Sequence, residues 1–199
     1  MVLLIDNFDS FSHMLADYLR QIGMDLHIVR NDEDPYKLIS QEWEALVISP
    51  GPETPEKAGN LMTILDLFVG KTPILGICLG HQAIGQYFGA SLVKGSQPVH
   101  GKVHHIFQKS AHPYLMGLPD SFQVTRYHSL ELKGLPEDLE ILLETEAGEI
   151  MALAHKFLPI FGIQFHPEAY LTQFGKEIME NWWNQSKSEV IKPLSVSTW

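Results

Sequence analysis

The segment PILGICLGHQAIGQYFGA, residues 73–90, decides the fold of this chain. An apolar run of strand type leads directly into Cys78, and a stretch of helical character begins at Leu79. Gly76 and Gly80 flank the cysteine at −2 and +2. This is the spacing of a nucleophile elbow with cysteine in place of serine. The segment therefore predicts a cysteine at the carboxyl end of a central strand, where open α/β sheets place their sites.

Cys78 has the surroundings that a reactive thiol needs. The flanking glycines let strand and helix approach closely around a strained residue, and a helix N-terminus favours the thiolate. A lone cysteine is more often a buried structural residue, and a glycine-rich turn before a helix can also cradle phosphate. Neither GxGxxG nor a Lys followed by Ser or Thr occurs at this turn. Cys78 is therefore predicted to be a nucleophile.

The remaining pattern predicts a doubly wound, flavodoxin-like α/β domain with a mostly parallel sheet. Six short, closely spaced β-like runs in the second half predict an antiparallel β extension that partly returns to this sheet. A last helix is expected from 173 to about 184. Earlier strands are predicted at 2–5, 25–29, 45–48 and 73–77, and helices at 12–22, 56–69 and 79–88.

Length and composition indicate one domain and a small-molecule or protein partner. The chain has 199 residues, of which 45% are hydrophobic, enough for one substantial core. We expect a domain at 1–185 and a tail at 186–199 whose lack of periodicity is typical of disorder. The formal net charge of −10 disfavours nucleic-acid binding. With one cysteine, no signal-peptide pattern and no run of about 20 apolar residues, a cytoplasmic protein without membrane contact is expected.

A second motif, PIFGIQFHPEA at residues 159–169, supplies a candidate base. Its apolar strand ends at His166, and Glu168 follows two residues later. In extended backbone these two side chains share a face, so the carboxylate can bind one imidazole nitrogen while the other faces the thiol. Such a carboxylate fixes the tautomer and stabilises the imidazolium. The pair could equally cap a strand, but an available elbow cysteine favours catalysis.

Two further segments allow more than one interpretation. SPGPETP, residues 49–55, can direct the Gly51 N–H at a developing oxyanion beside that of Leu79, or it can be an ordinary proline-rich turn. In DNFDS, residues 6–10, two aspartates could bind Mg²⁺ as in a phosphoryl-accepting regulator, or Asp9 or Ser10 could cap a helix. The ten histidines form no HExxH motif, and the chain has no CxxC motif. No metal and no cofactor are therefore expected.

Taken together, DNFDSFSHML, RND, SPGPETPEKAG, PILGICLGHQAIGQYFGA, PVHGKV, TRYHSLEL and GIQFHPEA resemble the ordered motifs of class I glutamine amidotransferases over residues 2 to about 183. The DNFDSF and RYHSL segments are most similar to the glutaminase components (component II) of anthranilate synthase and 4-amino-4-deoxychorismate synthase. The resemblance implies a triad of Cys78, His166 and Glu168, an oxyanion hole from the N–H groups of Gly51 and Leu79, and glutamine held by Gln82 and the backbone of Ser129 and Leu130.

The resemblance also implies a reaction and a partner. L-glutamine would be hydrolysed to glutamate and ammonia, and the ammonia passed to a chorismate-utilising synthase subunit (component I) lying near PVHGKV. The product would be anthranilate for tryptophan or aminodeoxychorismate for folate. One departure is Ala169, where such components usually have Ser after HPE. A non-catalytic binding or regulatory module that kept the fold, and an unrelated cysteine hydrolase, are the alternatives.

Overall fold

A computed structural model describes residues 1–95 and 99–188 of the chain. Residues 189–199 of the predicted tail, and residues 96–98, the last of which is the first residue of PVHGKV, lie outside the described residues. Residues 186–188 belong to the last helix. No helix in the described ranges is long and apolar enough to cross a membrane.

The described residues contain eleven strands in two sheets. The larger sheet has the order β2-β1-β3-β4-β11-β10-β9-β6-β7, and β5 and β8 form a separate antiparallel pair. Strands β2, β1, β3, β4 and β11 are parallel, and the rest of the large sheet is antiparallel. The strands are β1 Val2–Asp6, β2 Leu26–Arg30, β3 Ala45–Ile48, β4 Ile74–Ile77, β5 Ser91–Lys94, β6 Lys102–Gln108, β7 Ser121–Arg126, β8 Leu130–Lys133, β9 Leu139–Thr145, β10 Ile150–His155 and β11 Ile160–Ile163. The predicted parallel sheet with an antiparallel extension is confirmed.

Helices cover both faces of the sheet. They are α1 Ser12–Gln21, α2 Pro35–Ile39, α3 Leu61–Phe68, α4 Leu79–Tyr87 and α5 Gly175–Ser188, with short 3-10 turns at Pro55–Lys57 and Pro113–Leu115. In β1, Val2 and Leu4 belong to one hydrophobic cluster, which α1 and α5 also join. Leu3 and Ile5 belong to a second cluster, on the side of α3 and α4. Residues of β1 are buried on both faces, as expected for a central strand of a parallel sheet.

Three predictions about the helices are corrected by the structure. The helix expected at 56–69 is broken, because Gly59 has φ +56° and only α3 follows it as a regular helix. Helix α1 has Phe11 at its N-cap, while the Asp9 carboxylate accepts the Phe11 N–H at 2.7 Å. The last helix runs from Gly175 to Ser188, later than the predicted 173 to 184.

The pairing of β4 with β11 brings the two predicted catalytic motifs together. These strands are parallel neighbours, with Gly76 opposite Gly162 and Ile77 opposite Ile163. Immediately beyond them, the Cys78 N–H donates to the Ile163 carbonyl at 2.7 Å. Both motifs therefore leave the sheet at the same edge, formed by the carboxyl ends of parallel strands.

Candidate active site

Cys78 lies on a strained turn that only glycine neighbours allow. Its backbone has φ 51° and ψ −96°, and it is the N-cap residue of α4. A Cβ on Gly76 would lie 2.4 Å from the Gly80 carbonyl carbon, and a Cβ on Gly80 would lie 2.7 Å from the Ile48 carbonyl oxygen. Atoms do not approach this closely, so the predicted reason for these two glycines is confirmed. The turn presents the thiol at the start of a helix, where the dipole favours a negative charge.

His166 is placed between Glu168 and the thiol. Its Nδ1 lies 2.8 Å from Glu168 Oε1, and both side chains are almost fully buried. Burial by itself lowers the pKa of His166, but hydrogen bonds to Cys78 and Glu168 outweigh this effect and raise the pKa to about 10. With Nδ1 occupied by the carboxylate, Nε2 is the nitrogen left for the thiol. The arrangement therefore favours the imidazolium form of His166.

Four further residues fix the position of His166. The rings of Phe11 and Tyr127 lie 5.0 and 5.1 Å from the imidazole, both in edge-on orientations. Its backbone N–H donates to the Thr125 carbonyl at 3.1 Å, and its carbonyl accepts from the Thr172 hydroxyl at 2.7 Å. The imidazole thus has little freedom to leave the line between carboxylate and thiol.

Gln164 is a site residue that the sequence patterns above did not identify. It is fully buried, its Nε2 donates to Cys78 Sγ at 3.6 Å, and its Oε1 accepts from Gln82 Nε2 at 3.2 Å. The signal was available, because Gln164 precedes His166 by two residues and the same alternation that predicts the role of Glu168 applies to it.

The orientation of the Gln82 amide follows from its partners. Both contacts of Nε2 are with oxygens that accept, the Gln164 side chain at 3.2 Å and the Leu130 carbonyl at 3.4 Å. Within the described ranges, no group donates to Gln82 Oε1. Since Gln82 lines the cavity over Cys78, its oxygen is available to accept a hydrogen bond from a ligand.

This cavity has a volume of about 160 Å³ and brings together most of the predicted site residues. Pockets for drug-sized ligands have volumes of about 300–1,000 Å³, so this cavity suits a smaller molecule. His166, Glu168 and Leu79 lie outside its lining. The lining residues are Gly51, Pro52, Glu53, Cys78, Gln82, Tyr127, His128, Ser129 and Leu130.

A buried polar chain supports the far wall of the cavity. Arg126 Nη1 donates to Glu149 Oε2 at 2.7 Å and its Nε donates to His128 Nε2 at 3.0 Å. Because arginine only donates, His128 Nε2 is unprotonated, and its Nδ1–H donates to the Leu130 carbonyl at 2.8 Å. Burial and the neighbouring guanidinium lower the pKa of His128 to about 4. The Leu130 carbonyl is therefore held from both sides, by His128 and by Gln82.

Gly51, one of the two predicted oxyanion donors, packs tightly against Asn7 and against Leu79, the other predicted donor. A Cβ on Gly51 would lie 2.5 Å from Asn7 Cβ and 2.5 Å from Leu79 Cδ2, so only glycine fits between them.

In the DNFDS segment, the Asp6 carboxylate accepts hydrogen bonds from the Phe8 N–H and the Ser12 hydroxyl. No group of three or more His, Cys, Asp or Glu residues in the described part of the chain could hold a metal ion.

A cysteine elbow and an acid-supported histidine on adjacent parallel strands form the arrangement that is typical of cysteine-dependent acyl-transfer sites. The chain belongs to the class I glutamine amidotransferase family, whose model matches residues 3–185.

Its relatives include two named synthase components. It is 45% identical over 191 residues to anthranilate synthase component 2 of Azospirillum brasilense, covering 94% of this chain and 97% of that protein. It is 42% identical over 196 residues to the aminodeoxychorismate/anthranilate synthase component 2 of Bacillus subtilis, covering 96% and 100%. A crystal structure described as a GMP synthase protein of Thermoplasma acidophilum has the same fold, with TM-score 0.85 and 31% identity over 94% of each chain.

Proposed function

We propose that this chain is a glutaminase subunit that hydrolyses L-glutamine through Cys78, His166 and Glu168 and passes the ammonia to a chorismate-utilising synthase. The observation that carries the proposal is the line from Glu168 Oε1 to His166, 2.8 Å long, which continues to the Cys78 thiol. Each member has the role that its chemistry allows: nucleophile, proton carrier and orienting carboxylate.

The reaction follows from this arrangement. The Cys78 thiolate attacks the side-chain amide carbon of glutamine, and the carbonyl electrons move to an oxyanion that the Gly51 and Leu79 N–H groups stabilise. When the C–N bond breaks, His166 gives its proton to the departing ammonia. His166 then removes a proton from water, which attacks the thioester. Cleavage of the C–S bond releases glutamate and restores the thiolate.

Substrate recognition is assigned to the polar wall of the cavity. The Oε1 of Gln82 is an acceptor for a substrate N–H, and the backbone of Ser129 and Leu130 supplies the remaining contacts. The Ser129 carbonyl already accepts a hydrogen bond from the Gly95 N–H at 2.9 Å, and the Leu130 carbonyl accepts one from His128. The wall is thus fixed before the substrate arrives, which reduces the ordering cost of binding.

The synthase partner is proposed from the named relatives. Their names connect proteins of this size to anthranilate or aminodeoxychorismate synthesis, and one name includes both. The fold alone does not select the partner, because a protein described as a GMP synthase shares it. We propose a chorismate-utilising component I in the cytoplasm, serving the tryptophan pathway, the folate pathway or both.

The proposal is tested with Cys78→Ala in complex with the synthase recovered by pull-down of the wild-type chain. Glutamine-dependent product formation from chorismate should fall by about 10⁴-fold or more, because the members of a triad act as a unit. Synthesis from added ammonium ions should be unchanged, since it does not use the thiol. Product identification separates anthranilate from aminodeoxychorismate.

Three results would contradict the proposal. Retained glutamine hydrolysis in Cys78→Ala would show that Cys78 is not the nucleophile. A wild-type chain that neither hydrolyses glutamine nor is alkylated at Cys78 by a glutamine-like diazo-ketone would favour a non-catalytic module. Turnover of other amides or esters without glutamine would favour an unrelated hydrolase.

A further inference from the structure

The DNFDS segment after β1 has no part in the chemistry described above, but its Asn7 holds the loop that contains Gly51. Asn7 is buried, and it contacts Ser49 twice: its backbone N–H donates to Ser49 Oγ at 2.9 Å, and its Nδ2 donates to the Ser49 carbonyl at 2.9 Å. The remaining Asn7 oxygen accepts from Asn31 Nδ2 at 3.0 Å. Asn7 is therefore itself fixed on the side opposite Ser49.

The direction of each hydrogen bond at the Ser49 hydroxyl follows from its partners. The Asn7 N–H can only donate, so Ser49 Oγ accepts there. The Pro50 carbonyl can only accept, so the Ser49 hydroxyl hydrogen goes to it, at 2.8 Å. Ser12 Oγ lies 3.3 Å away but gives its hydrogen to Asp6 Oδ1 at 2.6 Å. One arrangement of hydrogens therefore satisfies the cluster.

The orientation of the Pro50 carbonyl determines that of the Gly51 N–H. The two groups belong to one planar peptide unit, and in a trans peptide they point in opposite directions. No cis peptide bond occurs in the described ranges. The close approach of Asn7 and Leu79 to Gly51 leaves the unit little room to rotate.

We infer that Ser49, held by Asn7, is a positioning residue that keeps the Gly51 N–H directed at the oxyanion formed on Cys78. This inference rests on the proposed glutaminase function. Ser49 touches no reacting atom; it acts through the Pro50–Gly51 peptide. The hydroxyl is fully buried, so water does not replace it when it is removed.

Ser49→Ala should therefore lower kcat for glutamine hydrolysis by about 10- to 100-fold and change KM by less than about threefold. Loss of a whole oxyanion donor costs about 10²- to 10³-fold in kcat, and a loosened donor loses part of that. Ser12→Ala is the matched control, because it deletes a neighbouring hydroxyl whose hydrogen goes to Asp6 Oδ1 at 2.6 Å and whose only contact with Ser49 Oγ is the longer one, at 3.3 Å. Its kcat should stay within about twofold.

A second readout separates positioning from general damage. Alkylation of Cys78 by iodoacetamide needs the thiolate but forms no oxyanion, so its rate constant should be the same in Ser49→Ala and wild type. Asn7→Asp provides an independent variant, because it places an oxygen against the Ser49 carbonyl while keeping the acceptor for Asn31. It should lower kcat in the same way. All measurements use the full chain, with and without the synthase.

The outcomes are distinguishable. An unchanged kcat in both Ser49→Ala and Asn7→Asp overturns the inference while leaving the glutaminase function intact. A parallel fall in iodoacetamide reactivity also overturns it, because the thiol itself would then be disturbed. A wild-type chain without glutaminase activity overturns the proposed function together with the inference.

Discussion

Gln164 and Glu168 each contact one of the two groups that are proposed to react, the Cys78 thiol and the His166 imidazole. Both lie two residues from His166, one before it and one after it, yet Gln164 contacts the thiol and Glu168 contacts the imidazole. The neutral amide can donate to sulfur without adding charge, whereas the carboxylate supplies the negative charge that holds the imidazolium. Glu168 Oε2 is buried and has no hydrogen-bond partner in the described residues, next to Ala169. The carboxylate is thus directed mainly at His166.

Glu168→Gln should lower the pKa of His166 from about 10. The variant keeps an acceptor of similar size but removes the charge that favours the protonated ring, so the imidazole loses its proton at lower pH. The measurement is an NMR titration of the His166 ring in both proteins, with Glu44→Gln, an exposed carboxylate, as control. An unchanged midpoint would show that Glu168 does not support the imidazolium. We also expect kcat to fall by about 10²- to 10⁴-fold.

At the level of elements, the contact between β4, α4 and β11 determines the site. Glycines allow these elements to approach: besides the Gly76–Gly80 contact, a Cβ on Gly162 would lie 2.9 Å from His81 Nδ1. His81 is completely buried, and burial lowers its pKa to about 3, so it packs there as a neutral ring. Helix α4 therefore lies directly on the two strands that lead into the Cys78 and His166 motifs.

Gly76→Ala should destabilise the fold by about 3 kcal/mol or more. Its methyl group would meet backbone atoms of Gly80, which cannot rotate away as a side chain can. Gly70→Ala is the control: nothing lies within 4 Å of its added Cβ, so only the left-handed backbone at φ +77° opposes it, at about 1 kcal/mol. Urea unfolding of both variants measures the difference. Equal losses would mean that β4 and α4 can separate to admit a methyl group.

Patterns along the chain could predict the elements and motifs that carry local signals, and could not predict tertiary contacts that no motif marks. The Cys78 turn and the HPE segment follow from glycine spacing and strand alternation. Helix α2 was missed although it has its own signal, an Asp34 side chain that accepts from the Tyr36 N–H, followed by Pro35. The break at Gly59 depends on tertiary contact, since an added Cβ there would meet Asn31.

At the scale of the whole molecule, a line of hydrogen bonds crosses from the turn between β9 and β10 to Cys78. It begins at Glu149, passes Arg126, His128 and the Leu130 carbonyl, and reaches Cys78 through Gln82 and Gln164. No periodicity reveals such a line, because its members come from segments that meet only after folding. The ion pair of Arg126 with Glu149 anchors its far end.

Glu149→Gln should make stability less dependent on pH in the acid range. The hydrogen bond from Arg126 lowers the pKa of Glu149 to about 2, against 4.5 for the free group, so its stabilisation is present above about 4.5 and is lost as pH falls to about 2. At pH 7 the variant should lose about 1–3 kcal/mol, because Arg126 stays buried without its anion. The difference in unfolding free energy between wild type and variant should become smaller at pH 2–3. Urea unfolding at several pH values measures this difference, with the exposed Glu146→Gln as control. A difference that does not change with pH would contradict the lowered pKa of Glu149.

The position of β11 between β4 and β10 also affects when the thiol becomes reactive during synthesis. His166 is 88 residues further along the chain than Cys78, so the ribosome makes the proposed nucleophile well before the proposed base. Strands β1 to β4 can pair by then, but the slot beside β4 stays empty until β11 has been made. Until residues 160–168 have been translated, Cys78 therefore lacks its proposed partners His166 and Glu168, and we expect no cleavage of glutamine before that point.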